Sequence, residues 1–520
     1  MAHPHFTRFP AVEGYCFPQS YRPGEQVEVR CASRAESFGV VVTLVRSDRT
    51  TVWTQQGLRA DDHLAGDDAW ADGCDWPTTF TIDTDPSWPS GYYEIELRAD
   101  EGEPSSVHGT AHAFFVLRPP PEPLPRRPLL VLSTNTYNAY NQWGGRCLYS
   151  GAAQVSFARP LERGYLRRPA APLEAGFDGR VTNIAEPSDP EHRRLTEYQA
   201  ANHYPLWTAS SGWHNWERRF MRWAAEAGIE LDVAINSDLE FHRDVLDGCP
   251  LMLSVGHDEY WSWGMRDTVD DFVARGGNWA IFSGNTSFWQ VRYTNDGRSM
   301  ICHKGRARLD DPVMATNERH HLTSMWSDPL IGRPETGSIG LTFSRGGYHR
   351  IGQGVPRGSG AYTVHRPEHW AFAGTGLRAG DQLGAGSFIV GYEVDGCAFT
   401  TVDGLPRPTH EDGAPADLEI LGTCPARLLS ITDEVCEAPA ALWASVDPPG
   451  DLEGVAMVLF GDDSPESIAK IAHGQAMMAS FTSGRGTVFN AGSADWAYGL
   501  DADPLVQRVT ANVLRHLSAG

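Results

Sequence analysis

The sequence predicts an α/β protein in which an immunoglobulin-like β-sandwich precedes a large, doubly wound, mostly parallel α/β domain. Three observations support this fold class. Short alternating or β-branched segments fill residues 1–118, a proline-rich segment covers 119–127, and strands alternate with helices over 128–520. Closely spaced short strands are typical of sandwiches, whereas strands that alternate with amphipathic helices indicate a parallel sheet. A chain of 520 residues is also long enough for two or three domains.

The front segment is predicted to consist of short strands. Residues 26–31 and 92–97 alternate apolar and polar side chains, 39–45 is rich in β-branched residues, and 113–117 supplies the last strand. No residue here argues for ligand binding, so packing or spacing is the favoured role. Arg118 then begins a run of prolines that predicts a stiff, extended linker.

The large segment shows the alternation expected of a parallel sheet. Its strands are short apolar runs, and its helices carry apolar residues at three- and four-residue spacing. We expect the last strand and the terminal helix to rejoin the central sheet. In order, the predicted elements are strand 129–132, a helix over 216–227, strands 231–234 and 251–255, a helix opened by Ser262 and ended by Gly276, strands 279–282 and 387–393, a strand that leads into a loop over 486–493, and a helix over 505–517.

Composition restricts the classes of function. The net charge of −23 argues against nucleic acid and membrane as partners, since both attract basic surfaces. The sequence lacks both the ~18-residue apolar run of a membrane span and the apolar core of a signal peptide. Its nine cysteines are dispersed without a CxxC pair, which fits a reducing compartment. These features together predict a cytoplasmic location.

Polar and aromatic residues collect where predicted strands end. His257 and Glu259 follow strand 251–255 in a βαβ unit. Open α/β sheets bind their ligands at this edge, beyond the carboxyl ends of the strands. A histidine and a carboxylate two residues apart are therefore positioned for chemistry. The other candidates at strand ends are Tyr137, Tyr140, Tyr149, Asn285, His303, Lys304 and Glu393.

Motifs for several mechanisms are missing from this sequence. It has no GxSxG elbow, no early GxGxxG and no P-loop. Zinc held by His257, Glu259 and His303 is a weak alternative, because HxE in a loop is not specific. An oxygen-rich metal site and a polar pocket without metal both stay open. Taken singly, each candidate also has a simpler role, such as a half-buried tyrosine or a surface ion pair between Lys304 and Glu393.

A series of motifs lies in order along the chain, in segments 134–141, 143–145, 148–150, 156–160, 238–242, 256–261, 283–285 and 490–493. In this order they resemble the C-terminal domain of the N,N-dimethylformamidase large (beta) subunit family. The resemblance covers roughly residues 128–518. Agreement of several motifs in order makes it specific for the domain, although less specific for activity.

The resemblance implies a mononuclear iron, Fe3+, held by two tyrosinates and one glutamate. The implied ligands are Tyr137, Tyr149 and Glu259, the last from the His-Asp-Glu-Tyr motif. Tyr140 is the alternative ligand, since it lies close to Tyr137 in the same motif. The catalytic residues that the resemblance implies are His257, Asn285, Lys304 and Glu393.

The function implied by the resemblance is iron-dependent hydrolysis of the C–N bond of a small, N-substituted amide. Ferric iron suits anionic oxygen ligands, and a Lewis acid of this kind activates a carbonyl and a water molecule. On this hypothesis His257 or Glu393 moves the proton to the leaving amine. Asn285 orients the carbonyl or the developing oxyanion, and Lys304 fixes the charge of Glu393.

The sequence also departs from the family pattern. Its front module is shorter, and the segment reads His-Asp-Glu-Tyr-Trp where the family has proline before the glutamate. By resemblance, the expected partners are a small-molecule amide substrate, further copies of the chain in a homo-oligomer, and a small second subunit. Two other functions stay open: a non-catalytic protein that binds a small ligand or carbohydrate, and a zinc or manganese hydrolase on the same scaffold.

Overall fold

The structure is a computed structural model that describes residues 10–100, 109–122, 126–168, 204–349, 358–433 and 450–519. Within these ranges the chain is a mixed α/β protein with six sheets. Residues 123–125 of the predicted linker lie outside the described residues. No helix in the described ranges is long and apolar enough to cross a membrane.

Two sheets form the front of the chain, as the short alternating segments predict. A three-stranded sheet has the order β1-β3-β6, and a five-stranded sheet has the order β2-β8-β7-β4-β5. Their inner faces share one core, to which Val29 and Ile82 contribute from the first sheet and Val40, Ile95 and Phe115 from the second. The strands are β1 (Val12–Cys16), β2 (Ser20–Tyr21), β3 (Gln26–Ser33), β4 (Phe38–Val45), β5 (Arg49–Leu58), β6 (Phe80–Asp83), β7 (Gly91–Ala99) and β8 (Thr110–Leu117).

The rest of the chain supplies a nine-stranded central sheet and three small sheets. Its strands are β9 (Leu129–Leu132), β10 (Gln154–Ser156), β11 (Asp232–Ile235), β12 (Leu251–His257), β13 (Tyr260–Ser262), β14 (Asn278–Gly284), β15 (Trp289–Thr294), β16 (Ser299–Ile301), β17 (Thr342–Tyr348), β18 (Tyr362–Val364), β19 (Gln382–Leu383), β20 (Glu393–Gly396), β21 (Phe399–Val402), β22 (Leu405–Pro408), β23 (Glu419–Ala426), β24 (Gly474–Ser483) and β25 (Gly486–Asn490).

The central sheet is parallel in one half and antiparallel in the other. Its order is β11-β9-β12-β14-β25-β24-β23-β18-β19, and the first five strands are parallel, as predicted. The last strand, β25, pairs with β14 and so rejoins the sheet. The antiparallel half was not predicted. It begins where two residues, 484–485, join β24 to β25, and so short a turn can join only antiparallel neighbours.

Helices cover both faces of the parallel half. Alternate residues of a strand point to opposite faces, so Leu130 packs with Phe220 on one side while Leu129 packs with Val269 on the other. The helices are α1 (Ala69–Asp72), α2 (Thr134–Tyr140), α3 (Glu217–Glu226), α4 (Asn236–Phe241), α5 (Trp263–Ala274), α6 (Ala307–Asp310), α7 (Thr336–Ile339), α8 (Asp451–Phe460), α9 (Pro465–Ala469), α10 (Trp496–Gly499) and α11 (Pro504–Ser518). Short 3-10 turns cover Leu206–Ala209, Arg243–Leu246, Lys304–Arg306, Pro312–Ala315, Arg319–His321 and Trp370–Phe372.

Local signals in the sequence set several element ends. Ser262 opens α5 as predicted, because its Oγ accepts the N–H of Met265 at 3.2 Å and so caps the helix. The predicted strand over 387–393 is wrong, since only Glu393 belongs to a strand, β20. Phe388 and Tyr392 both have φ of 49°, and a residue in this left-handed region cannot continue an extended strand.

The front sheets pack directly against the central domain. The ring of Tyr92, on β7, stacks on Trp213 with centroids 4.1 Å apart, and Phe114 lies edge-on to Tyr137 at 6.5 Å. The Oγ of Ser90 accepts the N–H of Val233, on β11, at 2.9 Å. These contacts place one face of the five-stranded sheet in the same core as the central sheet.

A buried carboxyl at the start of α7 makes stability depend on pH. Burial raises the pKa of Glu335 from 4.5 to about 7, although Thr342 donates a hydrogen bond to Oε1 at 2.5 Å. The folded state therefore binds more protons than the unfolded state between these pH values. The stabilising contribution of the protonated Glu335 carboxyl is complete below about pH 4.5 and is lost as pH rises through 7.

Glu335→Gln is expected to remove this dependence, because the amide keeps the shape of the carboxyl but cannot ionise. The free energy of unfolding at pH 8 should rise by about 2 kcal/mol relative to the unaltered chain. At pH 4.5 the two proteins should differ little. Urea unfolding at both pH values measures the change, and an equal difference at the two pH values would contradict the assignment.

Candidate active site

The candidate site lies where β12, β14 and β20 meet. His257 is the last residue of β12 and pairs with Gly284, the last residue of β14, so Asn285 follows directly beside it. Glu393 begins β20, and its carbonyl oxygen accepts the N–H of Ala494 at 3.1 Å. Gly284 leaves the space for this arrangement, because a Cβ there would lie 2.3 Å from the carbonyl oxygen of Glu393.

His257 is held between two carboxylates. Its Nε2 lies 2.6 Å from Oε2 of Glu393 and 3.2 Å from Oε2 of Glu259, and all three side chains are buried. The Nδ1–H donates to the backbone carbonyl of Ser210 at 2.7 Å. Burial opposes a charge on the ring, but the carboxylates of Glu393 and Glu259 outweigh it and hold the pKa of His257 well above its usual value. The imidazolium is therefore the stable form in this arrangement.

Two tyrosine hydroxyls converge on the same glutamate. The hydroxyl of Tyr149 lies 2.9 Å from both carboxylate oxygens of Glu259, and that of Tyr140 lies 3.2 Å from Oε2. The two rings stack with centroids 4.1 Å apart, and Tyr260 donates to the Tyr149 hydroxyl at 2.7 Å. Burial, and then the charge of Glu259, raise the pKa of Tyr140 and Tyr149 well above the usual value.

These three side chains form a compact set of oxygen donors. Glu259 is fixed from behind, since its N–H donates to Oγ1 of Thr136, on α2, at 3.0 Å. Hard cations prefer carboxylate and other anionic oxygen ligands, and a bound cation can displace a phenol proton. Tyr140, Tyr149 and Glu259 therefore bring together oxygen atoms of a kind that could hold a hard metal ion.

The structure does not bring Tyr137 into this set. Its hydroxyl donates to Oε1 of Glu217, on α3, at 2.6 Å, and Ser133 donates to the same oxygen at 2.8 Å. Tyr137 thus faces the front sheets, whereas Tyr140, the alternative ligand in the same motif, faces Glu259. The partner of Tyr137 lies 80 residues further along the chain, and no local pattern indicates it.

Lys304 lies on the other side of Tyr149. Its Nζ is buried. This atom lies 2.9 Å from the centroid of the Tyr149 ring and 5.4 Å from the centroid of the Tyr260 ring. Burial lowers the pKa of this amine to about 8, although the charge of Glu259 opposes the shift. The suggested surface ion pair between Lys304 and Glu393 is wrong, because both the Nζ and the glutamate are buried.

Asn285 contacts Glu393 through its side-chain amide. Its Nδ2 donates one hydrogen bond to Oε2 of Glu393 at 3.1 Å, and the second N–H of this amide is available for the predicted role toward a substrate carbonyl. Asp395 holds the backbone here, since its carboxylate accepts the N–H groups of Asn285 at 2.9 Å and Thr286 at 3.2 Å.

Backbone strain is concentrated around these side chains. Asn285, Lys304 and Tyr392 have φ values of 51°, 52° and 49°, which non-glycine residues seldom adopt. Such conformations persist at functional sites because surrounding contacts fix them. At Asn285 the fixing contact is the Asp395 carboxylate.

Some contributors were missed by sequence reasoning. Tyr260 follows Glu259 directly, and Asp395 lies two residues after Glu393 on β20, a spacing that places two side chains on one face of a strand. His303, the third residue of the zinc alternative, has other partners: its Nδ1 lies 3.0 Å from Oγ1 of Thr323 and 3.5 Å from Oδ2 of Asp311. Among the described residues, no group of three or more His, Cys, Asp or Glu side chains is arranged to hold a metal ion.

Comparisons with known proteins agree with the motifs. The N,N-dimethylformamidase beta subunits of an Alcaligenes species and of Paracoccus aminophilus are each 25% identical to this chain, over 229 and 239 residues respectively. Each match covers 42% of this chain and 28% of the relative, so the matched part is less than a third of the relatives' length.

A family model gives a longer match than these relatives. It is described as N,N-dimethylformamidase beta subunit-like, C-terminal, and it matches residues 43–511. The match begins within β4 of the front sheets, earlier than the motifs in the sequence indicated. Because it spans well over half of the 520 residues, the chain belongs to the N,N-dimethylformamidase beta subunit-like, C-terminal family.

Proposed function

We propose that this chain hydrolyses the C–N bond of small amides and that its site holds one ferric ion between Tyr140, Tyr149 and Glu259. The observation that carries the proposal is the convergence of both hydroxyls on Glu259, directly beside the His257–Glu393 pair. The names of the two relatives support an amide as substrate. Tyr140 replaces Tyr137 in this ligand set because Tyr137 binds Glu217.

The side chains around the proposed metal site have separate tasks. A ferric ion there would supply Lewis acidity toward an amide carbonyl and a water molecule. His257 carries the proton for the leaving nitrogen on Nε2, because its Nδ1–H is committed to the Ser210 carbonyl. Glu393 holds that imidazolium in place. The proton that the attacking water molecule loses returns to Nε2 of His257, so the ring is protonated again when the amine leaves. The buried ammonium of Lys304 offsets the negative charge of Glu259.

A matched pair of variants tests the ligand set. Tyr140→Phe and Tyr137→Phe each remove one hydroxyl from α2, but only Tyr140 contacts Glu259. The unaltered protein should contain about one iron per chain, with a visible tyrosinate absorption. Tyr140→Phe should lose most of the iron and the colour, with affinity down at least about tenfold. Tyr137→Phe should keep both.

Metal analysis and a visible spectrum give these results, and amine release from small amides gives the activity. Equal iron in the two variants would contradict Tyr140 as a ligand. A protein that stays colourless after incubation with iron and releases no amine would favour the alternative of a non-catalytic ligand-binding protein.

We also propose a domain organisation, an assembly and a cellular location for this chain. We propose that the front sheets are an immunoglobulin-like packing module that ends near residue 118, and that a doubly wound domain begins near 128. The relatives' names as beta subunits support assembly with a second chain, or with further copies of this one. A cytoplasmic location is supported by the eight described cysteines, all of which are free thiols.

A further inference from the structure

Tyr348 and Asp451 form a half-buried pair beside Glu393. Tyr348 is the last residue of β17 and lies directly opposite Glu393, the first residue of β20, in the antiparallel pair of these strands. Side chains at directly opposite positions point to the same face of a sheet, with Cβ atoms about 5 Å apart. The Tyr348 hydroxyl donates a hydrogen bond to the Asp451 carboxylate, at the start of α8.

Backbone contacts fix both residues of this pair. The N–H of Tyr348 donates to the carbonyl of Arg427 at 2.8 Å, and the carbonyl of Tyr348 accepts the N–H of Arg427 at 3.0 Å. Two residues further on, the Leu429 carbonyl accepts the N–H of Leu452, the neighbour of Asp451, at 2.9 Å. The position of the pair therefore does not depend on its own hydrogen bond.

Aromatic rings connect the pair with the candidate catalytic groups. The ring of Tyr348 packs against that of Tyr392 with centroids 6.3 Å apart, and the Tyr392 ring lies edge-on to His257 at 5.8 Å. The side chain of His257 is fully buried and that of Glu393 is 4% exposed, whereas Tyr348 and Asp451 are half-buried. The pair therefore lies on the solvent side of the groups that handle the leaving nitrogen.

The chemistry of the pair suits the amine that hydrolysis releases. An alkyl amine takes up a proton at neutral pH, as the lysine side chain does, so the products of amide hydrolysis are a carboxylate and an alkylammonium ion. Ammonium ions bind carboxylates through charge-assisted hydrogen bonds and bind the faces of aromatic rings. The Asp451 carboxylate and the rings of Tyr348 and Tyr392 offer both kinds of contact.

We propose that Tyr348 and Asp451 form the subsite for the amine half of the substrate and bind the released amine as a small alkylammonium ion. The inference rests on the proposed amide hydrolysis and deepens it, because it adds two residues and a ligand to the same site. Fully N-substituted amides fit this subsite, since the secondary amine that they release still forms an ion with two N–H groups.

Binding of dimethylammonium chloride tests the subsite without turnover. Isothermal titration calorimetry at pH 8 and constant ionic strength gives the dissociation constant. Burial raises the pKa of Asp451 from 3.8 to about 7, so its carboxylate is ionised under these conditions. Asp451→Asn removes the charge and keeps the shape, and its affinity for the ion should be lower by about tenfold or more. Tyr348→Leu removes the ring and should lower the affinity by about threefold or more.

Glu453→Gln is the matched control, because it removes a carboxylate from the same first turn of α8. The carboxylate of Glu453 accepts hydrogen bonds from Oγ of Ser430 at 2.6 Å and from the N–H of Ile431 at 3.0 Å. This variant should bind the ion as the unaltered chain does. Nonspecific attraction of the ion to a net charge of −23 changes equally in Asp451→Asn and Glu453→Gln, so their difference isolates Asp451.

The outcomes separate this inference from the proposed function, since amine release from small amides is measured independently. Equal affinity of Asp451→Asn and the unaltered chain, or no saturable binding by the unaltered chain, would overturn the subsite while amine release still supports hydrolysis. Binding that depends on Asp451, without amine release from any amide, would overturn hydrolysis and leave an ammonium-binding site. Thermal unfolding shows which variants are folded, and Tyr348→Leu decides if Asp451→Asn is not.

Discussion

Glu259→Gln is expected to abolish both the proposed iron binding and the proposed amide hydrolysis. Among the described residues, Glu259 is the one carboxylate that contacts Tyr140, Tyr149 and His257 together. Glutamine has nearly the same shape, but it is neutral and presents an NH2 group where one carboxylate oxygen accepts. It can neither bind a cation as an anionic ligand nor offset the charges of His257 and Lys304. Activity should fall by at least about 10³-fold, with less than about a tenth of the iron retained.

Glu217→Gln is the matched control for this experiment. Glu217 is also buried, and its Oε1 accepts a hydrogen bond from the Tyr137 hydroxyl at 2.6 Å. Its described hydrogen bonds do not involve His257 or Glu393. Metal analysis, the visible spectrum and amine release are compared in the two variants. The control should keep its iron and colour. A Glu259→Gln protein with full iron content and normal turnover would remove Glu259 from the site.

Gly284→Ala is expected to lower both stability and activity, because one added methyl group would separate two strands. The new Cβ would lie 2.3 Å from the carbonyl oxygen of Glu393 and 2.5 Å from the backbone nitrogen of Ala494. Both are backbone atoms, which cannot rotate away. Either β20 moves, and Glu393 loses His257 and Asn285, or β14 distorts. We expect a loss of about 3 kcal/mol in the free energy of unfolding and at least about 10²-fold in kcat/KM.

Gly337→Ala controls for the general effect of a methyl group on glycine. A Cβ at Gly337, on α7, meets no atom within 4 Å, so this change should be neutral or slightly stabilising. Urea unfolding gives the stability of each variant, and amine release gives the activity. Equal stability of Gly284→Ala and the unaltered protein would mean that β14 and β20 are not in the close contact described above.

The site residues that could be predicted from the sequence are those marked by neighbouring residues in the chain. His257 and Glu259 follow an apolar run, so the edge of the sheet at which they lie was predictable from that run and the helix after it. Asn285 follows the next strand in the same way. Glu393 was assigned to the end of a predicted strand over 387–393, whereas it begins β20. The left-handed conformation of Tyr392, which interrupts that segment, leaves no signal in an apolar sequence.

The choice between Tyr137 and Tyr140 was beyond local patterns. The two lie three residues apart on α2, and residues at this spacing share one side of a helix. Glu217 and Phe114 draw Tyr137 toward the front sheets, and both are distant in sequence. The antiparallel half of the central sheet escaped prediction for a similar reason. Strands such as β18 and β19, of three and two residues, carry too little periodicity to be recognised.

The stacking of Tyr92 on Trp213 has a practical consequence for anyone who shortens or recombines this protein. The proline-rich segment suggests a site at which the front sheets could be removed. Their removal would, however, take away Tyr92 and Phe114, the aromatic neighbours of Trp213 and Tyr137. The apolar surface beside α2, the helix that carries Tyr140, would then be exposed to water. The front sheets and the α/β region are therefore best expressed, exchanged and evolved together, as one unit.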